Sequence, residues 1–397
     1  MGRERKYLLV VLFVVWTSFV NVQPLLAQAE DNVENPAAKV QEQVNTIDLG
    51  NIQSFLSKID EETLSYFPQL DPGNLISNLK AGKVDLKPQA FFYGVVRLLF
   101  KEVYASAGLM VKLVILAILC GVLQQLQNSF EGSVSKVAQA MSYLVLITIA
   151  LASLTVAVDT GKKAIGDMVG FMQALLPVLL TLLVALGNLT TAAIFQPFIL
   201  GVLSFISTII KEIVLPLVLL GAVLGIINQI STNLKVSKLA GLFNSATKAA
   251  LGLTLTIFIG IMSIEGVAGS ITDGVALRSA KFATDTFVPV VGRWLSDAVE
   301  LVVGSALLLK NAVGLVGIIV IFLICLLPVI KIVAIMIIYR IAAALVQPLG
   351  NSSLAEALQA MSTSLSLVFA CVASVAIMFF MAISIILATG NLTVMLR

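Results

Sequence analysis

The chain contains no histidine. Imidazole metal ligands, Ser-His-Asp and Cys-His nucleophile systems and histidine proton relays are therefore excluded. Cysteine is scarce as well. Cys120, Cys325 and Cys371 each sit inside an apolar run and form no close pair, so they read as small buried hydrophobes. Charge is the third deficiency: 12% of the 397 residues are charged, about half of what a soluble domain carries. The net charge of +3 is small and dispersed, which argues against nucleic acid as a partner. Gly82-Lys83 and Gly161-Lys162 lack both the upstream glycine spacing and the following Ser or Thr of a phosphate-binding loop. No paired carboxylates fall inside an apolar run, as acid–base catalysis there would want. The expectation is a protein without cofactor, metal or enzymatic activity.

What the chain has in quantity is apolar surface. Fifty-nine per cent of it is hydrophobic and its mean hydropathy is +1.03. A globule of this size has no interior large enough to hide that surface from water, so the fold class is an all-α polytopic membrane protein.

The amino terminus reads as a cleaved signal peptide, residues 1–29. Arg3, Arg5 and Lys6 precede an apolar stretch from Tyr7 to Val20, and Pro24 breaks the helix. Ala27-Gln28-Ala29 supplies the small residues of a cleavage site before Glu30. The alternative is a retained first transmembrane helix; either way the next segment is placed outside the cytoplasm. From Glu30 to Gln89 there are ten acidic and five basic residues. Leu49, Ile52, Phe55, Leu56 and Ile59 recur at helical spacing, and Pro68, Asp71-Pro72-Gly73 and Gly82 interrupt. Residues 30–106 are thus expected to form a small external helical domain ending in an amphipathic lead-in, Ala90 to Tyr104.

About 20 apolar residues cross the hydrocarbon as a helix. Candidate spans are Ala107–Leu126, Met141–Val158, Phe171–Gly187, Ile194–Ile210, Ile213–Ile230, Ala249–Ala268, Ala312–Ile330, Ile332–Gly350 and Ser364–Thr389. Lys211-Glu212 and the lone Lys331 are such short connections that they could instead mark broken or re-entrant helices. The expectation is therefore about seven to nine transmembrane helices, with a first bundle part over 107–268 and a second over 312–397. Positive-inside bias supports the topology only in part: Lys235, Lys238 and Lys248 fall inside, whereas Lys162-Lys163 fall outside beside Asp159 and Asp167.

Ionisable groups within the apolar runs are candidate functional residues by default. Lys112, Lys310 and Lys331 lie near span ends and are read as snorkelling to the headgroups, and Glu265 can do likewise. Arg340 lies mid-run between Tyr339 and Ile341; it is expected to be buried, needing a carboxylate partner or a watery cavity. Residues 269–311 form the most unusual stretch, too polar to span and too apolar for a free loop. There Arg278, Lys281 and Asp285 share one helix face, Pro289 interrupts, and Arg293 and Asp297 form an i,i+4 pair. The run Leu301–Leu309 is bounded by Glu300 and Lys310. These read as interfacial or re-entrant helices: a lid on the bundle, or a docking or pore-mouth element.

The runs DGVALRSAKF, FVPVVGRWLSDA and LLLKNAVG, with PVIKI, YRIAAALVQP and Gly390-Asn391, resemble the stage III sporulation protein AE family of endospore-forming bacteria. The resemblance covers essentially the whole mature chain and is most specific from about Lys248 onward. It brings no catalytic residues with it. It implies a membrane base component of a secretion-like channel complex between mother cell and forespore, sited in the mother-cell membrane surrounding the forespore. Implied partners are the other membrane and ring proteins of the same stage III operon, a separate ATPase-like subunit, stage II sporulation protein Q, and the lipid membrane. Forespore integrity and late forespore gene expression would depend on it. A stand-alone secondary transporter and a non-conducting scaffold of the same complex remain as alternatives.

Overall fold

The computed structural model describes residues 88–129, 133–230, 236–287, 292–349 and 352–395. The expected signal peptide with Ala27, Ala29 and Glu30, and the external domain before residue 88, lie outside the described residues. Among those described every regular element is helical. The helices are α1 (Pro88–Ala105), α2 (Ala107–Ser129), α3 (Ser133–Ala185), α4 (Leu189–Ile209), α5 (Leu215–Ile230), α6 (Ser237–Phe287), α7 (Gly292–Val346) and α8 (Ser352–Met395). A π-turn, Ile210–Val214, joins α4 to α5, and a 3-10 turn, Gln347–Leu349, follows α7.

Five of these stretches are long and apolar enough to cross a membrane: Tyr143–Ala185, Leu189–Gln229, Ser237–Ile264, Val303–Val346 and Ser353–Asn391. The pair Phe91–Ala105 and Ala107–Cys120, bent by 46°, makes a sixth if taken as one span. That is fewer than the seven to nine expected, and the reason is visible in α3. Leu154, Ala157, Ile165, Met168, Met172 and Leu175 are all buried, so one apolar stripe at helical spacing runs straight through the charged segment. Asp159, Lys163 and Asp167 occupy the exposed face of the same turns, four residues apart. Window hydropathy reads that segment as a loop, whereas the 3.6-residue period reads it as one amphipathic stretch of a continuous helix. Lys331 behaves alike, exposed between buried Ile330 and Ile332.

At Lys211-Glu212 the helix does not break; it widens into the π-turn. Pro216 has no N–H to give the Glu212 carbonyl, and its ring crowds that carbonyl. One wider turn relieves the conflict without ending the helix. A true turn occurs between α3 and α4. Gly187 takes φ 86°, the Gly187 N–H donates to the Val184 carbonyl at 2.8 Å and the Asn188 N–H to Leu183 at 3.1 Å. This double closure is a Schellman motif, whose left-handed position favours glycine.

Helix α8 packs against α3, α5, α6 and α7, while α1 and α2 lie on α7 and α3. The Phe91 and Phe322 rings, 5.1 Å apart, fix α1 there. Side-chain contacts set the register. Ser153 meets Tyr339, Gly317 faces Leu175 and Ile383, and Gly161 faces Val368 and Val372. Helices α3 and α8 therefore run in the same direction and α7 runs against both. The 43 residues of Tyr143–Ala185 extend about 65 Å at 1.5 Å per residue, about twice the hydrocarbon thickness.

Candidate functional site: polar groups inside the bundle

The polar residues that matter most lie where α3 turns into α4 and the ends of α7 and α8 meet. Lys310 of α7 is fully buried, at 0% exposure. Its ammonium donates to the Leu387 carbonyl at 2.7 Å and to Asn391 Oδ1 at 3.2 Å. Snorkelling is thus corrected: the run Leu301–Leu309 is not a short interfacial piece but part of α7, and the helix carries Lys310 inward against α8. Gly390 completes the arrangement, because a Cβ there would collide with the Lys310 ammonium and press on Leu183 and Leu186. The Gly390-Asn391 pair therefore has a physical reading: absence of a side chain makes room for a cation, and the amide oxygen beside it accepts from it.

Asp273 of α6 is 2% exposed. Its Oδ1 accepts from the Thr190 N–H at 3.0 Å and its Oδ2 from the Thr191 N–H at 2.9 Å. These amides belong to the first turn of α4, whose leading N–H groups have no intrahelical acceptor. The residue at the N-cap, Asn188, makes no capping bond with its side chain. Asp273 supplies the cap from another helix instead, placing negative charge where the helix dipole favours it. Nearby polarity is left over: both side-chain polar atoms of Asn188 and the Thr191 hydroxyl are buried without a hydrogen-bond partner, as is Asn311 Oδ1.

Two further joints lie nearer the opposite end. The Tyr339 hydroxyl meets Ser153 across the α3–α7 contact. Arg340 is exposed, and its Nε donates to Ser362 Oγ at 3.1 Å, which in turn donates to the Met336 carbonyl at 3.3 Å. The expected burial of Arg340 is corrected here. Consecutive helical residues point about 100° apart, so burying Tyr339 turns Arg340 and Ile341 outward.

The remaining candidates, Arg278, Lys281 and Asp285, are carried on the last turns of α6, and Arg293 and Asp297 on the first turns of α7. These stretches continue the spanning helices beyond the level of Asp273 and Lys310. The expected break at Pro289 lies outside the described residues. The structure thus joins Lys310 to Asn391, Asp273 to the start of α4, and Arg340 to Ser362. Sequence reasoning missed Asp273 as an acceptor and Lys310 as an interior cation. The Asp273 of DGVALRSAKF and the Gly390-Asn391 pair were signals for both, but their partners lie 83 and 81 residues away.

Taken together, these features define the class: a multi-pass helical membrane protein whose interior polar groups join one helix to the backbone or amide of another. Residues 70–390 match the family model described as stage III sporulation protein AE. The chain is also 37% identical to the stage III sporulation protein AE of Bacillus subtilis (strain 168) over 371 residues, 93% of each chain. No solved structure matches it. The chain belongs to the stage III sporulation protein AE family.

Proposed function

We propose that this protein is a membrane base component of a secretion-like channel complex linking mother cell and forespore, needed for forespore integrity and late forespore gene expression. The observation that carries the reading is membership of a sporulation family across nearly the whole chain. Its place is the mother-cell membrane that surrounds the forespore. Its partners are the other stage III operon membrane and ring proteins, a separate ATPase-like subunit that supplies the nucleotide chemistry, and stage II sporulation protein Q. Its own part is structural and non-enzymatic.

The packing of one copy favours a particular form of this role. Phe171, Leu175, Leu179, Phe258, Leu365 and Cys371 fill the bundle at 0% exposure. A conduit threaded through a single close-packed bundle would have to displace such side chains. The protein therefore acts as a base or scaffold, and any lumen to which it contributes lies between copies or subunits. The test is affinity purification of the tagged full-length chain, in mild detergent, from sporulating cells. Recovery of the stage III ring proteins with it supports the reading. Recovery of the chain alone, with undiminished solute uptake in a strain lacking the ring proteins, would favour the stand-alone transporter.

A further inference from the structure

A belt of ionisable side chains from three stretches of the chain lies at one height of the bundle, and its position bears on where the bilayer lies. On α3 Asp159, Lys163 and Asp167 are exposed. Lys211 of the π-turn approaches Gly166, its Nζ lying 3.7 Å from where a Cβ would be, and Glu212 beside it is exposed. Lys331 of α7, also exposed, falls level with Gly161, between the two contacts Ser153–Tyr339 and Leu175–Gly317 and nearer the first. Three separate stretches of chain thus bring their charges to the height of residues 159–167, a band about 12 Å tall at 1.5 Å per residue.

The bundle on the two sides of this belt differs. Toward the α3–α4 turn, Asp167 and Ala185 are separated by about 27 Å, close to the roughly 30 Å of a hydrocarbon core. Along that interval α3, α4, α7 and α8 expose no charge, since Lys310 is buried, and α6 carries one ionisable residue, Glu265. Phe205 and Ile264, at 67% and 70% exposure, face outward there, as Met141, Leu144 and Leu345 do on the other side, so the two sides differ in charge and not in apolar exposure. Toward the other end, exposed Arg340 follows Lys331 after only about 14 Å, and exposed Glu356 lies nearby on α8. Half a hydrocarbon core is all that fits between them. Mixed charges of both signs on an outer surface suit the zone of phosphates, ammonium groups and water, not lipid tails, where each such charge is strongly disfavoured. Lysine stems also reach along apolar surface to place the ammonium among phosphates.

We propose that this belt binds the phospholipid headgroup layer of one leaflet, so that lipid tails cover only the part of the bundle between it and the Asp273–Lys310 level. The part of the bundle nearer Tyr143 and Val346 then stands clear of the lipid tails. This rests on the multi-pass helical fold and not on the sporulation role.

The experiment places single nitroxide labels on the full chain in phosphatidylcholine–phosphatidylglycerol vesicles, at Lys163→Cys, Phe205→Cys, Ile264→Cys and Leu144→Cys. Cys120, Cys325 and Cys371, all buried, are replaced by alanine in the background, and helicity and monodisperse elution are checked for each variant. Collision with oxygen, which concentrates among lipid tails, is compared with collision with a water-soluble nickel chelate. Oxygen dominance is expected at Phe205 and Ile264 but not at Lys163 or Leu144. Oxygen dominance at Lys163 would put the belt inside the tails and overturn the proposal. Oxygen dominance at Leu144 with chelate access at Ile264 would put the bilayer on the other half and overturn it as well.

Discussion

Replacing Asp273 gives the sharpest energetic test of the interior joints. Its carboxylate receives two backbone N–H groups of α4, at 3.0 and 2.9 Å, in a position almost closed to solvent. A hydrogen bond to a charged acceptor contributes ~1.5–3 kcal/mol net. Desolvating the carboxylate offsets part of the sum for two, while its removal leaves the buried Thr191 amide and the part-buried Thr190 amide without their acceptor. Asp273→Ala is therefore expected to lower stability by about 3 kcal/mol, more than about a hundredfold in the unfolding equilibrium. Asp273→Asn keeps one acceptor but turns an amide N–H toward the second donor, so about half that loss is expected. The assay is reversible unfolding in mixed micelles with rising dodecyl sulfate, followed by far-ultraviolet circular dichroism. Glu356→Ala serves as an exposed control and should stay within about 0.5 kcal/mol. An Asp273→Ala protein as stable as that control would refute the capping argument.

The joint at Lys310 predicts coupling rather than simple loss. Gly390→Ala drives a methyl into the ammonium and the Leu183 and Leu186 side chains and should cost ~1–3 kcal/mol; in the same unfolding assay, Lys310→Met should recover part of it. Additive losses in that double-mutant cycle would contradict direct contact. Gly187→Ala places a side chain at φ 86° and should cost about 1 kcal/mol, measured the same way. Arg340→Ala removes one part-buried hydrogen bond to Ser362, whose hydroxyl keeps the Met336 carbonyl as a partner, and should shift stability by about 1 kcal/mol or less. In a sporulation-efficiency assay Lys310→Ala should be the more harmful of the two, and the reverse order would restore a special role for Arg340.

The sequence disclosed the helical class and the separate apolar runs, because twenty consecutive apolar residues have few other uses. It hid how the runs join. Asp159 to Asp167 lower local hydropathy enough to resemble a loop, yet the buried stripe from Leu154 to Met172 continues beneath them. Composition averages over faces; only the periodicity separates them. The candidate residues fared unevenly for a related reason. Position along a run does not fix the direction in which a side chain points, so Arg340 in mid-run is exposed and Lys310 at a run's edge is buried. Asp273 sits in a stretch recognisable from sequence, but its acceptor role needs the α3–α4 turn folded beside it, a contact between segments far apart in the chain.

The central claim is that the protein serves the channel complex of sporulation. Its most direct test is a clean deletion in the organism that carries it, followed by starvation, membrane microscopy and a late forespore reporter. Complementation with the intact chain completes the experiment. The account predicts engulfed forespores that shrink or collapse with a silent reporter, restored by the intact chain. Normal forespores with an active reporter in the deletion strain would contradict it.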